Sequence, residues 1–478
     1  MWSRSLKNLM ATKLFRQPIL IVLGATGTGK SKATVELAKR FNGEIINGDA
    51  MQMYAGLPII TNKVTDEEQE GIPHHLLGRI QLEEETWRVG VFQREATSII
   101  HQIHARGNVP VIVGGTHYYI QSLLFGDSIV GEKSTNEGEL PGPLSTVNTS
   151  KEYPILDGPP DLILEKLREI DPVMARRWHP NDTRKISRSL EIFLQTGEKA
   201  SDLYARQQES SNMKNNESSN LVSVGENFSP ETTLIFWIYT EPEVLKKRLD
   251  ARVHQMMGAG LLDELKTMDQ YLQTQQTAGL KVDKSRGIWA SIGWKEFKPY
   301  LEALKSGGNL EDALSLSIQK TQAATRQYAK RQIRWIEMKL RTALAKSQGW
   351  NERLYLLDGN DVSNFQENVA DVAIKITADF LDGKKLLLPQ EISSTAKTVL
   401  SCKKKKPDVW FRQTCEICLI TSMNEIEWEA HLKSRKHRGL IKKRLKNMVK
   451  EKHEETKPYE SSASETPLSI SKVFPNEI

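Results

Sequence analysis

Cysteine is scarce in this chain, with three in 478 residues. That excludes a disulfide framework and points to a reducing compartment. Long apolar runs are missing too. None reaches the roughly 20 residues of a membrane-spanning helix, so no membrane partner is expected. An excess of one charge is small overall, at +6. It is unevenly placed, however. Residues 402–450 hold fourteen Lys and Arg against five Asp and Glu, so the basic character gathers near the C-terminus. The first seventeen residues contain no acid at all. They carry Arg4, Lys7, Lys13 and Arg16, with Leu6, Leu9, Met10 and Leu14 able to share one helical face. This is the composition of a mitochondrial transit peptide, and it predicts residence in the mitochondrion as well as the cytoplasm, with the nucleus a third compartment.

What is present begins with Gly24, Ala25, Thr26, Gly27, Thr28, Gly29, Lys30 and Ser31, which fit G-x-x-x-x-G-K-[ST]. The flanks agree. "PILIVL" before it has the make-up of a buried strand, and "SKATVELAKRF" after it has helical spacing. A strand, a glycine-rich turn and a helix aim backbone N–H groups at an anion. Lys30 adds a point charge, and the Ser31 hydroxyl suits Mg²⁺. Asp49 follows at the end of a second short strand, "GEIING". A carboxylate there belongs at the carboxyl edge of an open sheet, where ligands bind, as a general base or a Mg²⁺ partner. The next strand, "VPVIV", ends in Gly114, Gly115 and Thr116, where many ATPases place a Mg²⁺-binding Asp. Its absence counts against a motor ATPase. Gly114 and Gly115 would admit a ligand close to the backbone.

Three basic clusters follow. Arg184, Lys185 and Arg188 fall within about one helical turn, with Ile186 facing inward, and suit a polyanion. Arg248 and Arg252 are four apart on one helical face and could clamp a phosphate. Arg326, Lys330, Arg331 and Arg334 are interleaved with Tyr328 and Trp335. Near the C-terminus, Cys415, Cys418, His431 and His437 have zinc-finger spacing. They close a structural Zn²⁺ site, and Lys433, Arg435, Lys436 and Arg438 beside it favour nucleic acid.

These signals organise the chain as a targeting segment (1–17), a P-loop α/β core (18–125), a helical insertion with disordered loops (126–230) and a core completion with C-terminal helices (231–382). A linker (383–407), a basic zinc-finger module (408–450) and a disordered tail (451–478) follow. The expected fold class is α/β, a P-loop NTPase-like parallel sheet with an inserted helical domain and a C-terminal zinc finger.

"GATGTGKS", "INGDAMQMY", "IVGGTHYYIQSLL", "SRSLEIF", "GAGLLDEL", "ASIGWKEF" and "TRQYAKRQIRWI" occur in this order. Over about residues 18–345 the chain resembles the tRNA dimethylallyltransferase (tRNA isopentenyltransferase) family, in its eukaryotic, fungal form with a terminal finger. The resemblance implies that the loop holds dimethylallyl diphosphate with Mg²⁺, and that the acceptor is the N6 amine of the adenosine just after the anticodon of tRNA. It implies Asp49 as general base, Lys30, Thr116 and Arg252 as its catalytic companions, and Arg252 near the diphosphate. It also implies tRNA contacts from Asp49, Ala50, Met51 and Gln52, from Thr116, and from Arg184, Lys185, Ile186, Ser187 and Arg188. Ala50 and His117 stand where the family often has Ser and Gly. A monomer is expected. The rival readings are a P-loop kinase of a small molecule or nucleoside, and an RNA-binding protein with a decayed loop.

Overall fold

"ILIVLG" is apolar at every position but its last, the pattern of a strand covered on both faces. In the computed structural model, which describes residues 17–84, 87–125, 153–206, 228–280, 282–284, 286–401, 412–418, 420–422 and 425–444, this stretch is β1 (Ile19–Gly24), buried throughout. Then come α1 (Lys30–Phe41), β2 (Gly43–Asn47), β3 (His74–His75), α2 (Val89–Ala105), β4 (Val109–Gly114) and α3 (His117–Leu124). Helices α4 (Pro160–Ile170), α5 (Pro172–Arg177) and α6 (Thr183–Thr196) precede β5 (Thr233–Tyr239). Beyond it lie α7 (Pro242–Gly258), α8 (Leu261–Thr277), α9 (Lys298–Ser306), α10 (Leu310–Trp335) and α11 (Arg341–Lys346). Strand β6 (Leu354–Asp358) and helices α12 (Val372–Leu381) and α13 (Ser394–Ser401) follow, then β7 (Gln413–Thr414), β8 (Thr421–Ser422) and α14 (Glu425–Leu432).

The six-stranded sheet has the order β3-β2-β4-β1-β5-β6, all parallel. "TLIFWIY" rejoins the sheet as expected, with Leu20 opposite Leu234 on β5. Central β1 places the loop at the middle of the carboxyl edge, between the ends of β4 and β5. Side chains of β1 alternate between two cores. Ile19, Ile21 and Leu23 meet Phe92, Tyr119 and Trp237. Leu20 and Val22 meet Val35, Leu37, Phe365 and Phe380.

The chain divides into two compact units, residues 1–152 with 200–407, and residues 153–199 with 408–478. The first holds the sheet. In the second, α4–α6 bury Ile163, Leu167, Met174, Ile186 and Leu190. The finger belongs to this unit rather than standing alone. Arg412 Nη1 donates to Ala175 O at 3.1 Å. His179 Nδ1 accepts from Asn181 N–H at 3.0 Å, so Nε2 is the nitrogen that donates to Thr421 O at 3.1 Å.

The expected linker also contains structure. Helix α13 buries Ala396, and Arg341 Nη2 donates to Leu400 O at 2.8 Å. Tyr355 donates to Leu387 O at 2.9 Å. Its polar composition hid a few residues that dock on the core. All of the expected targeting segment but Gln17, most of the two loop-rich insertions and the tail lie outside the described residues.

Candidate active site

The loop from Gly24 to Ser31 is held in a shape only glycine permits at its ends. Gly24 has φ +152°, and a Cβ there would lie 2.5 Å from Ile238 O. Gly29 has φ +90°, with the Phe365 ring 2.6 Å from where a Cβ would be. Gly29 caps α1 without a side-chain hydrogen bond, and the first turn of α1 contains no acid. The N–H groups of that turn therefore face the loop ready for an anion.

Two cations attend it. Lys30 Nζ donates to Ala25 O at 2.7 Å, and Thr28 Oγ1 donates to the same carbonyl at 2.9 Å. Burial pulls the Lys30 ammonium down to about 8, the Asp49 carboxylate works against this, and Arg252 adds to it. Arg252 Nη1 donates to Thr26 Oγ1 at 2.9 Å. Burial lowers this guanidinium to about 10, again opposed by Asp49. Ser31 is half-buried in the first turn of α1.

Asp49 follows the end of β2. Asn47 shapes its turn, accepting from Asp49 N–H at 3.0 Å and donating to Asp49 O at 3.1 Å and Leu76 O at 3.0 Å. Asp49 Oδ1 accepts from Met51 N–H at 3.0 Å. Burial raises the Asp49 carboxyl above the usual range, with the Met51 N–H, Lys30 and Arg252 opposing it. Thr116 Oγ1 accepts from Ala50 N–H at 3.1 Å, so β4 and the Asp49 turn are joined. Gln52 donates to Asn62 O at 2.8 Å, and Ser291 Oγ donates to Met51 Sδ at 3.4 Å. Lys30, Asp49, Thr26, Thr116 and Arg252 thus meet in one place.

Some expectations change. Arg248 donates to Gly359 O at 2.8 Å and Asn360 O at 2.5 Å, so it fastens a turn after β6 and does not join Arg252 as a phosphate clamp. Gly114 and Gly115 admit protein rather than ligand. A Cβ on Gly114 would sit 2.3 Å from Gly48 O, and one on Gly115 would sit 2.5 Å from Gln332 Nε2. Ile186 is buried, so its side chain serves the core of α4–α6 rather than an RNA surface.

Four residues have a part in this site that the sequence did not disclose. Glu264, in "GAGLLDEL", accepts from Ile59 N–H at 2.8 Å and Ile60 N–H at 2.7 Å, fixing the turn after Gln52. His117 is buried, tied to the Gly24 backbone, and held neutral down to about 3 by burial and by Lys30. Tyr328 lies beside Asp49, Thr116 and Gln332, and burial raises its hydroxyl strongly. Gln332 accepts from Thr26 N–H at 2.8 Å and donates to Gly115 O at 2.9 Å. "TRQYAKRQIRWI" is a signal for α10, but nothing local says that its amide crosses to the loop.

In the second unit, Asp182 caps α6, whose first turns carry Arg184, Lys185, Ser187 and Arg188. Arg184 is exposed, Lys185 lies over the Trp178 ring, and Arg188 pairs with Glu191 at 2.9 Å. Cys415, Cys418, His431 and His437 offer ligand atoms within 4.8 Å of one another. His437 Nδ1 is 3.5 and 3.4 Å from the two sulfurs, and buried His431 Nε2 has no partner among the described residues. Two thiols and two imidazoles so gathered fit Zn²⁺. Arg435, Lys436 and Arg438 around them are exposed.

A phosphate loop at the centre of a parallel sheet, faced by a carboxylate and without an acid closing β4, defines a P-loop-fold group transferase with an appended finger. Residues 52–339 match the family model described as IPP transferase, and 414–437 match the zinc-finger of C2H2 type. The tRNA dimethylallyltransferase of Schizosaccharomyces pombe is 36% identical over 90% of this chain and 96% of its own, and that of Homo sapiens 34% over 89% and 86%. A solved eukaryotic dimethylallyltransferase acting on tRNA superposes with a TM-score of 0.71 at 34% identity, covering 91% of this chain and 99% of its own. The chain belongs to the tRNA dimethylallyltransferase family.

Proposed function

We propose that this site transfers a dimethylallyl group from dimethylallyl diphosphate to the N6 amine of the adenosine 3′ of the anticodon in tRNA, releasing diphosphate. The observation that carries the reading is the meeting of Lys30, Arg252 and Asp49 around an uncapped helix N-terminus. The C1–O bond of the allylic ester breaks, and its electron pair leaves with the diphosphate. Lys30, Arg252 and the N–H groups where the loop enters α1 hold that growing charge. The N6 nitrogen forms the new C–N bond, and its proton passes to Asp49. A carboxylate raised by burial is better suited to accept a proton than an ordinary one. The adenine must leave its stack to reach the site, and the turn at Asp49, Ala50, Met51 and Gln52, with Thr116, receives it.

Among the described residues, the only cluster of three or more His, Cys, Asp or Glu able to share a metal is the finger. Ser31 is the loop residue that would hold Mg²⁺, which would offset charge on the leaving group. Zn²⁺ in the finger is structural. Arg184, Lys185, Ser187 and Arg188, with the basic rim of the finger, hold tRNA phosphates. Residues 1–17 direct a share of molecules to the mitochondrion, the rest serving the cytoplasm and nucleus, and the working form is a monomer. The test is incubation with labelled dimethylallyl diphosphate or ATP, with and without tRNA. Label in tRNA only from dimethylallyl diphosphate supports the reading. Phosphoryl transfer from ATP to a small acceptor replaces it with the kinase.

A further inference from the structure

Gln332 sits near the C-terminal end of α10 and is 4% exposed. Both ends of its amide are engaged, and its side chain also meets the Tyr328 hydroxyl. The oxygen accepts from the N–H of Thr26, inside the phosphate loop, and the nitrogen donates to the carbonyl of Gly115, next to Thr116. The two anchors lie 306 and 217 residues away in sequence. Thr26 in turn holds Arg252, and Thr116 holds the turn at Ala50 beside Asp49. The fit is tight, since a Cβ on Gly115 would lie 2.5 Å from the Gln332 nitrogen and 3.0 Å from Asp49 Oδ2. An amide is the side chain that meets both demands, with one acceptor and one donor about 2 Å apart on a rigid plane.

We propose that Gln332 is a positioning residue that sets the spacing between the diphosphate half of the site and the adenine half, and so commits the allylic carbon to nitrogen rather than to water. This rests on the dimethylallyl transfer proposed above. When spacing is right, C1 loses diphosphate and gains N6, with the amine proton taken by Asp49. When spacing loosens, water supplies the oxygen instead. Dimethylallyl alcohol and diphosphate form, with the proton released to solvent. A displacement of about 1 Å is enough to cost on the order of a hundredfold in such a reaction.

The test uses the full-length protein with Gln332→Met and Gln332→Glu. Glu keeps the acceptor for Thr26 N–H and loses the donor to Gly115 O, whereas Met loses both. Diphosphate release and prenyl incorporation into tRNA are measured in the same reactions, beside thermal melting. The expected result for both variants is transfer down at least tenfold, KM for tRNA within about threefold, and diphosphate released in excess of modified tRNA. Equal falls in release and incorporation, tracking a lower melting temperature, would overturn the proposal in favour of a purely structural amide. So would unchanged transfer. Failure of the wild-type protein to prenylate tRNA strikes the proposed function instead and is seen before any variant is made.

Discussion

Lys30 and Arg252 are half-buried, and burial weakens the hold of each on its proton. In the other unit Arg184, Lys185, Arg435, Lys436 and Arg438 stand in solvent. The phosphate loop thus works with few charges in a low dielectric, each close to a defined atom. The finger and α6 offer many charges in water, where each counts for little and their sum counts for much. The loop is positioned by backbone and by residues drawn from across the chain. The finger unit is positioned by a metal site and short local elements. Single substitutions should therefore be severe at the first region and mild at the second, and this contrast can be broken experimentally.

The largest effect is expected at Asp49→Asn. Asn keeps the size and still accepts from Met51 N–H, but it cannot take the proton of the amine. Loss of a general base costs about a hundred- to ten-thousand-fold. The expected signature is a fall in kcat with both substrate affinities within a few-fold of wild type. Because burial raises the Asp49 carboxyl, the acid limb of the wild-type profile should lie above the ordinary Asp range, and it should vanish in Asn. A collapse of dimethylallyl diphosphate affinity with kcat intact would instead place Asp49 on Mg²⁺.

Lys30→Ala comes next. Removing one charge-stabilising donor costs about 3–4 kcal/mol, some hundred- to thousand-fold in rate. Binding of tRNA should be little altered, since Lys30 faces the loop. The pH dependence has a definite sign. With Lys30 near 8, kcat/KM for dimethylallyl diphosphate should decline as pH rises past about 8, because the free protein loses the ammonium. The decline in kcat should start at higher pH, because bound diphosphate favours the charged form. Coincident basic limbs for the two parameters would remove Lys30 from diphosphate binding.

The difference between the regions also explains what could be foreseen. The loop, α1 and Asp49 were legible because strand, turn and helix are written within thirty contiguous residues. The finger was legible because zinc fixes ligand spacing. The pairing of β5 with β1 followed from one strong apolar run. The roles of Gln332, Glu264 and Tyr328 were hidden, since the groups they meet at the loop and at the Asp49 turn lie 204 to 306 residues away, and a buried amide in a basic helix reads as surface. Arg248 was misjudged because four-residue spacing tells which face a side chain shares, not what that face meets. Strand β3 is two residues long, below what periodicity can resolve. In α13 only Ala396 is fully buried, with Val399 and Leu400 partly covered, too short an apolar stretch to stand out among polar neighbours.

A third break concerns zinc. Cys415→Ser with Cys418→Ser removes both sulfurs and should unfold the finger. Arg412, just before the hairpin β7–β8, and Thr421, within it, hold the segment from Ala175 to His179 just ahead of α6. Loss of metal should therefore loosen the chain that leads into Arg184 and Arg188, not the finger alone. The expected result is tRNA affinity weaker by about tenfold or more, with modest change in kcat at saturating tRNA. Amide exchange should rise across residues 175–188 as well as 412–444. Exchange confined to the finger would show the two parts to be independent, and zinc-free wild-type protein would remove the metal altogether.

The smallest effect is expected at Arg184→Ala, and it tests the contrast from its weak side. Arg184 is exposed at the start of α6, where only the backbone of its helix is fixed, by the Asp182 cap. Its charge on a tRNA phosphate is worth most through release of a condensed counterion. Loss of one such contact should weaken binding a few-fold and flatten the plot of log affinity against log salt by roughly 0.7–0.9. Lys30→Ala should leave that slope untouched while destroying turnover, and Arg184→Ala should do the reverse. Both variants changing the slope would mean that the loop also grips RNA. A hundredfold loss from Arg184→Ala, insensitive to salt, would mean that Arg184 is buried against a specific group when tRNA is bound, and that the two regions work by the same means after all.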